Sequence, residues 1–245
     1  MAYTQAAIYV DGAGSPAILA VNEKEMNNET APRAIAIFVK TPGLSPIKTR
    51  LANNIGEENA MVFYKHAVAC VAALCNDLPK TDVFWAVAEQ DGINRWPAFE
   101  ALWTGEGELG ERQHNIYSRL RRNYRKVMLI GADCPQFTPD DIEAGFESLL
   151  ENDFAMGKAS DGGYTYFAGK KSVPEEIWTR VKYSQPDTRG VLRRGLRGQY
   201  TEMGQHTDVD ELPDLTKMLF EMPRDKTEAQ RKICDWAREL LKKGF

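Results

Sequence analysis

Three cations follow directly on an uncharged apolar run. AIAIFV (Ala34–Val39) leads into KTPGLSPIKTRLA (Lys40–Ala52), which carries Lys40, Lys48 and Arg50 with Pro42, Gly43 and Pro46 among them. Cations grouped at the end of a buried strand need an anion nearby, and open α/β sheets bind ligands at that edge. Phosphate suits such a group, because several donors are held at set separations and arginine adds bidentate geometry. Lys40, Thr41, Pro42, Gly43, Lys48 and Arg50 are therefore the expected nucleotide-binding segment. Lys40, Lys48 and Arg50 are expected to neutralise phosphate charge during catalysis. The plain alternative is a solvated basic loop. GxxxxGK[ST] is absent, which sets aside P-loop chemistry, and no dinucleotide-binding fingerprint is expected.

Acidic residues stand at three later points. In GADCP (Gly131–Pro135), Asp133 follows a further apolar run and is placed to hold Mg²⁺ or Mn²⁺, which take oxygen ligands; a turn or helix cap is the alternative. Cys134 beside it reads as packing, since no histidine is spaced to activate it. In ASDGGYTYF (Ala159–Phe167), Asp161 precedes two glycines that permit a tight turn and close backbone approach. It is a candidate to orient an acceptor or to extend the metal site, against a plain hairpin. In HTDVDELPDL (His206–Leu215), Asp208 and Asp210 share one side of an extended chain. They are metal candidates alongside Asp133, or caps of a helix beginning near Pro213. His66, His114 and His206 lack metal-ligand spacing. The arginines between Arg189 and Arg197 read first as a solvated helix face, and Trp85, Trp96 and Trp103 as packing.

These residues need a scaffold that brings them to one place. AIAIFV, DVFWAVA (Asp82–Ala88) and VMLIGA (Val127–Ala132) are short apolar runs of the kind that form strands buried on both faces. Helices are expected between them. Glu57 to about Leu78 places Met61, Tyr64, Val68, Val71 and Cys75 on one face. Another helix carries Ile116, Leu120 and Tyr124 inward. Thr138-Pro139-Asp140-Asp141 is a helix start with cap, proline and first-turn acids. FAMGKA and YTYFAG are expected strands, Ser172–Glu175 has the form of a capping box, and Lys226–Phe245 is a charged amphipathic helix. Alternation of this kind predicts a three-layer α/β/α sandwich with a mostly parallel, mixed sheet. Residues 34–245 form the expected single domain. Residues 1–33 read as an N-terminal extension that could form a hairpin and linker; a homodimer is a candidate assembly, and a scaffold that associates through this extension is a further reading.

The chain has 245 residues, 43% apolar and 27% charged, with net charge −4. That balance offers no field for nucleic acid. No apolar run is long enough to span a membrane. The four cysteines form no CxxC pair or secreted framework, which points to a cytoplasmic setting.

VKTPGLSPIKTRLA, GADCP, ASDGGY and DVDELPDL, in this order, resemble the DUF2064 family of glycosyltransferase-like proteins, grouped with the nucleotide-diphospho-sugar transferases of the GT-A fold. The first motif is also similar to that of 2-phospholactate guanylyltransferase. The resemblance runs from about Ala34 to Leu215. It implies a nucleotide-binding sandwich, a divalent metal, and a transferase acting on a nucleotide or nucleotide sugar and an unknown acceptor. Two family features differ here: the mid-chain Asp-x-Asp is reduced to Asp133, and GxGTRM lacks its glycines. Glycosyl and nucleotidyl transfer both remain open, and a nucleotide-binding or partner module without turnover is the alternative.

Overall fold

The computed structural model describes residues 32–244. The expected N-terminal extension lies outside the described residues except for Pro32 and Arg33. Arg33 already belongs to the first strand, and its guanidinium is clamped by Glu143 at 2.5 and 2.7 Å.

The chain folds as β1 (Arg33–Val39), α1 (Thr49–Ile55), α2 (Glu57–Asn76), β2 (Thr81–Val87), β3 (Glu100–Trp103), α3 (Leu109–Arg121), β4 (Lys126–Gly131), α4 (Pro139–Ser148), β5 (Phe154–Ala159), β6 (Tyr164–Gly169), α5 (Glu175–Thr179), α6 (Thr188–Gly195), β7 (Tyr200–His206), α7 (Leu212–Glu221) and α8 (Glu228–Lys242). One seven-stranded sheet has the order β3-β2-β1-β4-β6-β5-β7. All neighbours pair parallel except β4 with β6 and β5 with β6, so β6 alone runs against the rest. This is the expected mixed α/β/α sandwich.

Strand β1 explains the layering. Ile35, Ile37 and Val39 enter one core with Val71 and Leu74 of α2 and Ile142 and Phe146 of α4. Ala34 and Ala36 enter a second core with Ile116, Tyr117 and Leu120 of α3 and Trp178 of α5. Both faces are therefore covered, and an unbroken apolar run is what such a strand requires. A third cluster joins Leu51, Phe63, Met218 and Ile233, packing α1, α7 and α8 around α2.

The sheet direction fixes where chemistry can occur. β1, β4, β5 and β7 end, and β6 begins, on one edge. The chain runs from β1 outward to β2 and β3 and then returns to β4 on the other side of β1. That reversal is a topological switch point, where a crevice opens between diverging connections.

Several local expectations are refined. Thr138 caps α4 in a capping box with Asp141, as its sequence indicates. The box expected at Ser172–Glu175 does not form: Pro174 is the N-cap of α5 and no side chain caps it. Helix α1 and strands β3 and β7 add to the elements read from sequence. β7 is an edge strand with no buried residue along YTEMGQH, so it lacks the alternation that marks a half-buried strand.

Candidate active site

The first connection is built to bring Lys48 inward. Tyr64 of α2 fixes the end of β1: its hydroxyl accepts from Lys40 N and donates to Lys40 O, both at 2.9 Å. Thr41 turns away from the sheet edge and is buried. Its amide donates to Glu89 at 2.6 Å and its hydroxyl accepts from Trp96 Nε1 at 3.0 Å. The loop then returns, and Lys48 opens α1 at φ 47°, ψ 47°. A lysine in this left-handed conformation costs about 1–2 kcal/mol, so something must hold it.

Three carboxylates hold it. Lys48 Nζ lies 2.7 Å from Asp133 Oδ1, 3.0 Å from Asp210 Oδ1 and 3.6 Å from Asp208 Oδ1, and it donates to Val209 O at 2.7 Å. Its side chain is 6% exposed. Burial alone would push this ammonium down, but Asp133, Asp208 and Asp210 more than reverse that and hold it well above the usual lysine range. Arg50, half exposed, pairs with the other oxygen of Asp210. Asp133 arrives from the end of β4, and Asp208 and Asp210 from the segment after β7. Val209 N donates to Asp133 O at 3.3 Å and locks those two segments together.

Asp208 is the least satisfied member. Its Oδ1 is buried with no hydrogen-bond partner. Burial, then the Asp133 charge, pushes its carboxyl up to about 8, against the pull of Lys48; Asp210 and Asp161 add to the rise. Asp210 does not cap α7. Glu211 does, in a box with Asp214, which leaves the Asp210 side chain to the two cations.

The cluster opens onto a cleft of about 610 Å³. Lys40, Lys48, Arg50, Asp133, Asp208 and Asp210 line it, and Thr41, Pro42 and Gly43 do not. Lys40 is exposed and donates to Pro46 O at 3.2 Å. Asp161 sits beyond the lining, where its Oδ1 accepts from Gly163 N at 2.8 Å and shapes the β5–β6 turn. Its charge nonetheless reaches Asp208. Cys134 lies in the wall with its thiol pushed well up by burial, and so behaves as packing. Arg189 donates to Gly163 O at 2.9 Å and faces Glu202, so it braces the Asp161 turn.

Sequence reading missed the opposite wall. Arg112 and Gln113 of α3 line the cleft with Tyr164 of β6, whose hydroxyl donates to Gln113 at 2.7 Å. A signal did exist: GEGELG (Gly105–Gly110) fits GxGxxG, which corrects the expectation that no such pattern occurs. It follows β3 and opens α3, with Gly105 and Gly107 at φ 86° and 89°. Glu106, Glu108 and Glu111 crowd this turn and already complement the helix end, unlike a site for pyrophosphate.

The donor set fits a hard divalent cation in one particular way. The available donors are carboxylate oxygens, and Asp208 Oδ1 has a free lone pair in a buried position. Among the described residues, no group of three or more His, Cys, Asp or Glu side chains is arranged to hold a metal unaided. Mg²⁺ is commonly held by one or two carboxylates together with substrate phosphates, and Asp133 with Asp208 meets that lesser demand.

Comparison with known proteins agrees with the motifs. Residues 65–185 match the family model DUF2064, described as an uncharacterized protein conserved in bacteria. GADCP and ASDGGY fall inside that span; the Lys40–Arg50 loop and the Asp208 segment fall outside it. A protein of Desulfovibrio desulfuricans G20, provisionally named a nucleotide-diphospho-sugar transferase, superposes with a TM-score of 0.74 at 21% identity, over 87% of this chain and 98% of that one. The bifunctional IspDF of Campylobacter jejuni superposes at 0.52 with 9% identity, over 76% of this chain and 54% of that one. At these identities the likeness is one of fold: the nucleotide-diphospho-sugar transferase architecture. No curated protein matches the chain. Among the described residues no helix is long and apolar enough to cross a membrane.

Proposed function

We propose that the chain is a metal-dependent transferase of the nucleotide-diphospho-sugar type, which binds a nucleotide or nucleotide sugar in the switch-point cleft and passes a glycosyl or nucleotidyl group to an acceptor. The observation that carries this reading is the convergence of Lys48, Asp133, Asp208 and Asp210 from three separate connections onto one buried point of a cleft that also holds Lys40 and Arg50. A buried ammonium and three carboxylates at a ligand-sized opening are the kind of arrangement that functional sites use, which supports this reading.

Asp133 and Asp208 are the residues that would hold Mg²⁺ or Mn²⁺. Such an ion, when bound, neutralises charge that develops on phosphate oxygens. Lys40 is exposed beside the cluster and contributes a further positive charge to the same phosphates. Arg50 contributes planar donors from the cleft rim while Asp210 holds it in place. These fixed charges stabilise the leaving group without reorganising at the moment of reaction. Tyr164, Gln113 and Arg112 form the far wall and position whatever group is distal to the phosphates. Asp161 acts indirectly, by fixing the β5–β6 turn and by its field at Asp208.

The test is a product assay. The protein is incubated with Mg²⁺ or Mn²⁺ and either single nucleoside triphosphates or nucleotide sugars, with a panel of acceptors. Pyrophosphate release indicates nucleotidyl transfer, and nucleoside diphosphate release indicates glycosyl transfer. Absence of both, together with absence of any nucleotide-induced rise in melting temperature, would overturn the reading.

A further inference from the structure

An ammonium has three N–H donors. Asp133 Oδ1, Val209 O and Asp210 Oδ1 take all three from Lys48, at 2.7, 2.7 and 3.0 Å. Asp208 Oδ1 is then a fourth acceptor, 3.6 Å away, buried and without a hydrogen bond. The charges show the same shortfall. Three carboxylates face one buried ammonium and one half-exposed guanidinium, which leaves one negative charge in excess when all are ionised. A buried ion-pair network kept for stability has its lone pairs satisfied, since a half-satisfied one costs more than an apolar core. This one does not, and the lysine at its centre also sits in a left-handed backbone conformation.

We propose that Lys48 is an exchangeable resident cation. Its ammonium occupies the focus of Asp133, Asp208 and Asp210 while no divalent ion is bound. It leaves that position when one is bound and turns into the cleft, where it meets the phosphate oxygens. The inference rests on the reading of Asp133 and Asp208 as metal-holding residues, and adds that metal and Lys48 are mutually exclusive at one point. It accounts for a cation that lines the ligand cleft and yet has every donor engaged by protein atoms. It also explains why so many carboxylates meet without forming a metal cage: the cage is closed by a side chain that can move out. The exchange needs no bond-breaking step. One positive group replaces another against the same oxygens, and the bound ion also supplies the charge that the ammonium lacks.

Mn²⁺ alone, without nucleotide, is the probe. Its binding to the full chain is measured by electron paramagnetic resonance for the wild type and for Lys48→Met. If the ammonium must be displaced, K48M binds Mn²⁺ more tightly, by about tenfold or more, because a unit positive charge has been removed from beside the ion. Equal affinities would overturn the exchange while leaving the metal reading intact. Failure of Mn²⁺ to bind either protein would overturn the exchange, and the metal reading would then stand or fall on the product assay, in which phosphates complete the site. Binding to K48M alone would make Lys48 a permanent substitute for the metal, which also overturns the exchange. Should K48M fail to fold, the wild type still decides. Acetylation followed by mass spectrometry is expected to find Lys48 protected in chelator and labelled in saturating Mn²⁺. Unchanged protection overturns the proposal.

Discussion

Asp208→Asn should stabilise the protein at alkaline pH and leave it unchanged in acid. Asp208 Oδ1 is buried, unbonded and 3.6 Å from an ammonium already committed elsewhere. Its carboxyl is pushed up to about 8 by burial first and the Asp133 charge second. In the unfolded chain an aspartate titrates near 4. Between roughly pH 4 and pH 8 the folded protein therefore keeps a proton that the unfolded chain has lost. The folded state binds more protons, so stability falls as pH rises through this window, by at most ~1.4 kcal/mol per pH unit. Allowing for relaxation around the site, the accumulated loss is about 2–5 kcal/mol by pH 9. Asparagine keeps the shape and the acceptor oxygen but has no proton to lose. The variant should match the wild type near pH 4 and exceed it by ~5–15 °C in melting temperature at pH 9. Calorimetric melts from pH 4 to 9, in chelator so that no cation intervenes, give the comparison. Parallel curves for the two proteins would refute the reasoning, because Asp208 would then titrate alike in both states.

Arg50→Ala removes a half-exposed partner of Asp210, and such pairs contribute about 0–1 kcal/mol. Its melting temperature should barely move while nucleotide affinity, read by calorimetry, falls about tenfold; a large stability loss with unchanged affinity would assign Arg50 to the scaffold. Cys134→Ala should cost about 1 kcal/mol of stability and retain most turnover, since the thiol is buried and held protonated. A rate loss beyond a hundredfold would make it a nucleophile after all. Gly162→Ala places a Cβ against the Pro186 carbonyl at φ 91°. It should cost about 2–4 kcal/mol, because backbone rather than a flexible side chain must yield; a melting temperature within ~2 °C of wild type would show that the Asp161 turn adapts freely.

What the sequence discloses depends on how far a residue's partners lie along the chain. The core strands are legible because both faces of β1 are buried, and a run such as AIAIFV admits few other readings. β7 is illegible for the opposite reason: YTEMGQH lies on the sheet rim and buries none of its residues. α1 is hidden behind two prolines and a lysine in a left-handed turn, which read as loop. The candidate site divides along the same line. Lys40, Lys48, Arg50, Asp133, Asp208 and Asp210 are all recognisable as charges placed next to strand ends, and the cleft gathers all six.

Their pairing was not recognisable. The sequence assigns the cations to phosphate and the acids to metal, as two halves of a site. The structure joins those halves directly, through contacts from Lys48 to Val209 and Asp210 that span 161 and 162 positions. The sequence reading places a phosphate opposite the cationic loop on grounds of charge cost; the anions that meet Lys48 and Arg50 in the fold are the chain's own carboxylates. The consequence for ligand binding is specific. Any phosphate or metal entering this cleft competes with an existing ion-pair network rather than filling an uncompensated field. Affinity then depends on what the network gains from the exchange, and Asp208 Oδ1, a buried oxygen without a hydrogen bond, is where a new partner gains most.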